Sequence, residues 1–186
     1  MWGEDSKIVE EGDFIGNLAD VKDQVRLIPP TQNVRLEATD YKIFDVKKDG
    51  SVSTWKQIRV TFKLMDGVQV GEETKYKNSN IQQSFVYFAN PETYDFTKPF
   101  FKQGSYLVPL KQLVIACGVN AVAMIKGGLA DETMAQLAEQ IKGSKIMGNI
   151  VQTHITMKNE EGKYINTPDL QNELKGFKKL PEEMLV

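Results

Sequence analysis

In the run Val52 to Met65, Trp55, Arg59 and Lys63 recur every fourth residue, with Gln57 and Thr61 between them. Alternate side chains of an extended strand share a face, so these five stand together while Ile58, Val60, Phe62 and Leu64 take the opposite, core-facing side. An indole in line with two cations suits one kind of chemistry, in which a base stacks on the ring and phosphates lie along the charges, as in the binding of single-stranded nucleic acid. Arg35 and Lys42, from the strand before, extend the stripe if the two strands pair in register. Tyr76 and Tyr87 add aromatic candidates further along. The alternative for Trp55, and equally for Tyr41, Tyr76 and Tyr87, is burial under a loop or helix, because large aromatics are usually mostly buried.

Other chemistry lacks its residues. His154 is the only histidine, on the polar side of a predicted strand, so a histidine base or a multi-histidine metal site has one candidate. A surface or hairpin histidine is the simpler account of it. No Cys-x-x-Cys pair, glycine-rich phosphate loop or G-x-S-x-G turn occurs. The carboxylate pairs Glu72-Glu73, Glu160-Glu161 and Glu182-Glu183 fall in predicted turns or tails, where solvent keeps carboxylates ordinary. A divalent-ion site assembled in space from scattered acids is the one arrangement that spacing does not address. The expectation is a binding protein and not an enzyme, with no catalytic residue, metal ligand or cofactor.

The elements that must carry this face begin after an acidic arm. Residues 1–26 hold seven acidic and three basic side chains, a balance of -4 within a chain of net charge -2, which leaves +2 for the remainder. Their weak periodicity favours an arm, taken as residues 1–28, over a core element. Asn33 to Met65 carries seven basic and four acidic residues, so the first hairpin is locally positive. Its first strand alternates through Val34, Leu36 and Ala38 and shifts phase near Asp40, which predicts a bulge. Lys47-Lys48-Asp49-Gly50 supplies the turn. Tyr76 to Phe88 predicts a third strand buried on both sides, followed by a loop from Ala89 to Tyr106 containing Tyr94, Phe96, Phe100, Phe101 and Tyr106. That loop is a packed cover or a binding element, and aromatics beside Pro and Gly favour the cover.

Leu107 to Cys117 has helical spacing with Gly118 as its stop, and Asp131 to Ile141 predicts a second short helix capped by Asp131 and stopped by Gly143. Gly127-Gly128 marks a break between them. Lys145 to Lys158 and Lys163 to Asn166 form a closing hairpin, after which Pro168 and a polar run to Lys179 end a domain of residues 29–180, with 181–186 as a tail. With 41% hydrophobic residues among 186, one mainly β domain with short helices has a sufficient core. No apolar stretch approaches the roughly 20 residues of a membrane span. The acidic N-terminus lacks the pattern of a secretory signal, and the single Cys117 permits no internal disulfide, so reducing cytoplasm is the expected compartment.

The first-hairpin stretch Trp55-Lys56-Gln57-Ile58-Arg59-Val60-Thr61-Phe62, the helix Leu110 to Gly118 and the closing segment ending Asn172-Glu173-Leu174-Lys175-Gly176-Phe177, taken in this order, resemble bacteriophage single-stranded DNA-binding proteins of the oligonucleotide-binding fold. The resemblance covers about residues 29–180. It implies a small five-stranded barrel with a long aromatic loop and two short helices, and a groove across the early strands. It also implies a role in replication or recombination in host cytoplasm, with single-stranded DNA and replication or recombination proteins as partners. The glycine-rich linker and acidic C-terminal tip of the better-known bacterial proteins are lacking, which puts recruitment through such a tail in doubt. An alternative of another class is a virion or assembly protein whose β-domain contacts other protein chains through edges and aromatic loops. The face of Trp55, Arg59 and Lys63 separates the two: an open, positive face favours nucleic acid, and a face covered by protein or flanked by acids favours assembly.

Overall fold

A computed structural model describes residues 27–48 and 52–184 of the chain. Most of the acidic arm, the centre of the Lys47 to Gly50 turn and the end of the tail lie outside the described residues. Five long strands form one antiparallel sheet in the order β5-β2-β1-β6-β7, with β1 at Thr31–Lys48, β2 at Val52–Leu64, β5 at Asn80–Ala89, β6 at Lys145–Lys158 and β7 at Tyr164–Lys179. The connection between β2 and β5, read from sequence as a polar link and the start of a strand, instead folds into a small hairpin of β3, Val68–Val70, and β4, Glu73–Lys75. Tyr76 and Asn78 take positive φ immediately after it, and such backbone ends a strand, so β5 begins at Asn80.

Register follows the apolar alternation. Leu36 pairs with Leu64, Ala38 with Phe62 and Ile43 with Ile58, and the ladder shifts between Ala38 and Asp40, where the change of phase predicts it. Leu36, Ile58, Val60, Phe62, Leu64 and Phe85 are all essentially inaccessible and form the core with Ile146, Ile150 and Leu174. Each such side chain contributes about 1.5–3 kcal/mol by leaving water.

Helix α1 is a single turn, Pro99–Lys102; α2, Val108–Ala116, packs on β7 and β5; α3, Asp131–Ile141, follows it. Asp131 is the first helical residue and Ala130 the cap, so Asp131 does not cap α3 as expected. Its carboxylate is held by Lys56 and the Tyr87 hydroxyl. The Gly127-Gly128 break lies across the end of β5, where Leu129 N–H donates to the Tyr87 carbonyl at 2.8 Å. At φ +140° Gly128 has no room for a β-carbon, which would overlap that carbonyl oxygen.

Two expectations about the sheet need correction. The polar run after Asn166 is strand, because Leu174 and Phe177 face the core from it; Pro168 is accommodated where the ladder to β6 shifts and β7 is an edge. The sheet is also not closed into a barrel. Its edge strands β5 and β7 approach each other, and Phe177 lies 5.7 Å from both Phe62 and Phe85. The Gln83 side chain accepts a hydrogen bond from Leu174 N–H at 3.1 Å, but no ladder joins the two edges, and α2 packs against both. No helix among the described residues is long and apolar enough to cross a membrane.

Candidate nucleic-acid interface

Because Lys42 pairs with Arg59 and Arg59 with Ser84, those three side chains share the outer face of β1, β2 and β5. Phe44 joins them through its pairing with Gln57. The Arg59 guanidinium lies 4.7 Å from the Phe44 ring centre and the Lys42 ammonium 5.2 Å from it, two cation–π contacts to one ring. Arg59 Nε also donates to Ser84 Oγ at 3.2 Å. Lys42 and Arg59 are exposed and Phe44 is half-buried. Neither cation forms an ion pair among the described residues, although Asp40 is exposed on the same face.

The remaining candidates go elsewhere. Lys63 is on this face but ion-paired with Glu37 at 2.9 Å. Arg35 grips Asp66 through two hydrogen bonds of 2.5 Å, which holds the Asp66 carboxyl below, and the guanidinium above, its ordinary pKa. Trp55 stands at the end of the stripe under the aromatic loop, with ring centres 4.7 Å from Tyr94, 6.1 Å from Phe101 and 6.2 Å from Tyr106. The burial alternative thus describes Trp55 and the packed-cover account describes the loop, whose Phe96 and Phe100 also touch Tyr106. Tyr76 is half-buried against the core.

Tyr87 is 2% exposed, so no base can stack on it. Burial, and then its hydrogen bond to Asp131 at 3.1 Å, push its phenol pKa well up. Asp131 is held below the carboxylate range by Lys56, 2.7 Å away, with help from Tyr87. This trio ties the first turn of α3 to β2 and β5. The Tyr41 hydroxyl donates to Glu139 and pins the same helix to β1.

His154 is exposed and its Nδ1 lies 2.9 Å from the Thr167 carbonyl, which favours the tautomer with the proton on Nδ1. Among the described residues no three His, Cys, Asp or Glu side chains are grouped to hold a metal ion.

Sequence reasoning missed Phe44, Gln57 as its partner, and Ser84. The signal for Phe44 was the phase shift itself: once Tyr41 and Ile43 take the inner side, Lys42 and Phe44 must share the outer one. The arrangement that results is a half-buried aromatic ring beside two exposed cations, neither ion-paired among the described residues, an arrangement able to stack a flat ring and hold anions beside it. A comparison with protein-family models, curated proteins and solved structures finds none that matches this chain.

Proposed function

We propose that this protein binds single-stranded DNA across the outer face of β1, β2 and β5, with Phe44 as the stacking platform and Lys42 and Arg59 as phosphate contacts. The observation that carries this reading is the pair of exposed cations around one ring, neither engaged by a carboxylate among the described residues. Arg guanidinium groups and aromatic rings both serve as surfaces for bases, and phosphates are held by unpaired cations. A curled, partly open five-stranded sheet is also the architecture of oligonucleotide-binding folds, which use the face of their early strands. Protecting or organising single strands during phage-type replication or recombination is the role that fits. Trp55, Tyr76 and Tyr87 leave the contact set because of where they pack, and Arg35 and Lys63 would first have to leave their carboxylates.

The test is titration of labelled oligothymidine, followed by anisotropy at several salt concentrations, with duplex as control. Two phosphate contacts predict a log–log salt slope of about -1.4, and Arg59→Ala reduces its magnitude by about 0.7. Phe44→Ala costs roughly 1–3 kcal/mol of binding if a base stacks on the ring. No binding at low salt, or an unchanged slope in Arg59→Ala, overturns the reading.

A second reading, assembly through protein contacts, draws on the far end of the β6–β7 hairpin, where Met157, Tyr164 and Ile165 are 54%, 71% and 45% exposed. It gains if oligothymidine fails to bind while the protein self-associates and Tyr164→Glu abolishes that association.

A further inference from the structure

On the outer face of the sheet Gln57 pairs with Phe44 of β1 and with Val86 of β5, while Trp55 and Arg59 flank it two residues away along β2. Directly opposed residues bring their β-carbons to about 4.5–5.5 Å, so a side chain as long as glutamine is able to reach the edge of the Phe44 ring. Nothing in strand formation asks for glutamine here, since β-branched and aromatic residues suit a half-covered pleated surface better.

The surroundings leave its amide unengaged. Phe44, Trp55 and Val86 offer it no carbonyl or carboxylate, and Arg59 is already turned toward Ser84 Oγ at 3.2 Å and toward the Phe44 ring. Gln57 is half-buried and makes no side-chain hydrogen bond among the described residues. A polar group that gives up part of its water gains from a partner, and the ring beside it is where the stacked part of a ligand would lie.

A base stacked on Phe44, or on the guanidinium beside it, is wider than a phenyl ring and carries its edge over the neighbouring strand. On β2 the residue opposite Phe44 is Gln57. A carboxamide holds an acceptor and a donor side by side and can be turned end for end. It therefore matches any base edge that sets one donor next to one acceptor: N3–H and O4 of thymine, N4–H and N3 of cytosine, N6–H and N7 of adenine, N1–H and O6 of guanine.

We propose that Gln57 is the base-edge contact of this site, hydrogen-bonding whichever base stacks at Phe44 without choosing among the four. The assignment rests on the single-strand reading and adds that the ligand is held by its bases as well as by its charge.

Anisotropy with labelled oligomers of equal length tests it, using oligothymidine, an alternating dT-dG oligomer and an abasic deoxyribose-phosphate oligomer at low salt. The natural chain should bind the first two about equally. Gln57→Met keeps the length of the side chain and removes the amide, so both weaken about two- to tenfold, the net worth of one hydrogen bond, while the abasic oligomer is unaffected. Gln57→Glu replaces the reversible pair by two acceptors, which fit the adjacent N1–H and N2–H donors of guanine and no other base. The affinity ratio of the dT-dG oligomer to oligothymidine should then rise about fivefold or more, the low end for one bidentate contact. The added negative charge weakens both oligomers alike and cancels in that ratio. A ratio unchanged by Gln57→Glu, or an abasic oligomer weakened by Gln57→Met as much as oligothymidine, overturns the role of Gln57 and leaves the single-strand reading standing. Failure of the natural chain to bind either base-bearing oligomer overturns both.

Discussion

Replacing Trp55 by alanine separates a surface platform from a buried anchor. A fully buried tryptophan cut to alanine costs about 3–5 kcal/mol through lost transfer energy and the cavity left behind. Trp55 is half-buried, which roughly halves the transfer part, to about 1.5–2.5 kcal/mol. The contact with Tyr94, at 4.7 Å between ring centres, adds about 0.5–1.5 kcal/mol. Trp55→Ala should therefore lose about 2–4 kcal/mol, which for a domain of this size lowers Tm by about 4–16 °C. Urea unfolding followed by circular dichroism measures it without relying on the lost fluorophore, and the midpoint should fall with little change in slope. The stretch from Asn90 to Tyr106 is fastened by the same cluster, so limited proteolysis should cut there first in the variant. An unaltered urea midpoint accompanied by a loss of oligothymidine affinity would refute this, and would place the indole on the binding face.

Tyr87→Phe should cost about 0.5–1.5 kcal/mol, the net worth of one hydrogen bond, because Asp131 keeps Lys56 as its partner; thermal unfolding checks it. Gly128→Ala adds a β-carbon against the Tyr87 carbonyl at a φ that L-residues avoid, so a loss of more than about 3 kcal/mol, or no folded protein on expression, is expected. The Arg35–Asp66 pair gives a pH dependence. Arg35 depresses the Asp66 pKa, so the stability from this carboxylate is present above its unfolded pKa of about 3.9 and fades as pH falls through the lower folded value. Urea midpoints of the natural chain and Asp66→Asn should differ at pH 7, and the gap should narrow as pH falls below about 3.9. A gap that does not narrow on acidification contradicts the assignment.

The inner side of the sheet was legible in the sequence because alternation in β1 and β2 is strict: Leu36, Ile58, Val60, Phe62 and Leu64 all face the core. The bulge near Asp40 was legible for the same reason, since a change of phase has few other causes. The second half of β7 was not, because an edge strand with one apolar side can be polar at most positions, and Leu174 and Phe177 were too few to mark it. Period-two reasoning also treats every residue on one face as equally open. It placed Trp55, Arg59 and Lys63 on one side correctly but could not know that the Tyr94 to Tyr106 loop folds over Trp55, or that Glu37 takes Lys63. Such neighbours are set by tertiary contacts at long sequence separation, which one strand's pattern does not encode.

The distribution of carboxylates explains how a chain of net charge -2 presents a face on which two cations have no ion pair among the described residues. Asp66 engages Arg35, Glu37 engages Lys63 and Asp131 engages Lys56, each next to the sheet. Among the described residues Lys42 and Arg59 find no such partner and rest on Phe44, whose ring holds cations without neutralising them. Net charge is therefore a poor guide to this surface, because an average counts paired and unpaired groups alike. Ion pairs near the surface such as the half-buried Lys63 with Glu37 are individually weak, about 0–1 kcal/mol. Their greater effect is on the field: each acid held at its own cation leaves less negative charge free to compete with a phosphate for Lys42 and Arg59. Among the described residues the remaining competitor on the face is Asp40, two residues from Lys42 and opposite Thr61. The anion path proposed above consequently runs from Arg59 toward Ser84 on β5, away from Asp40, and the hydrogen bond between Arg59 and Ser84 already points the guanidinium that way.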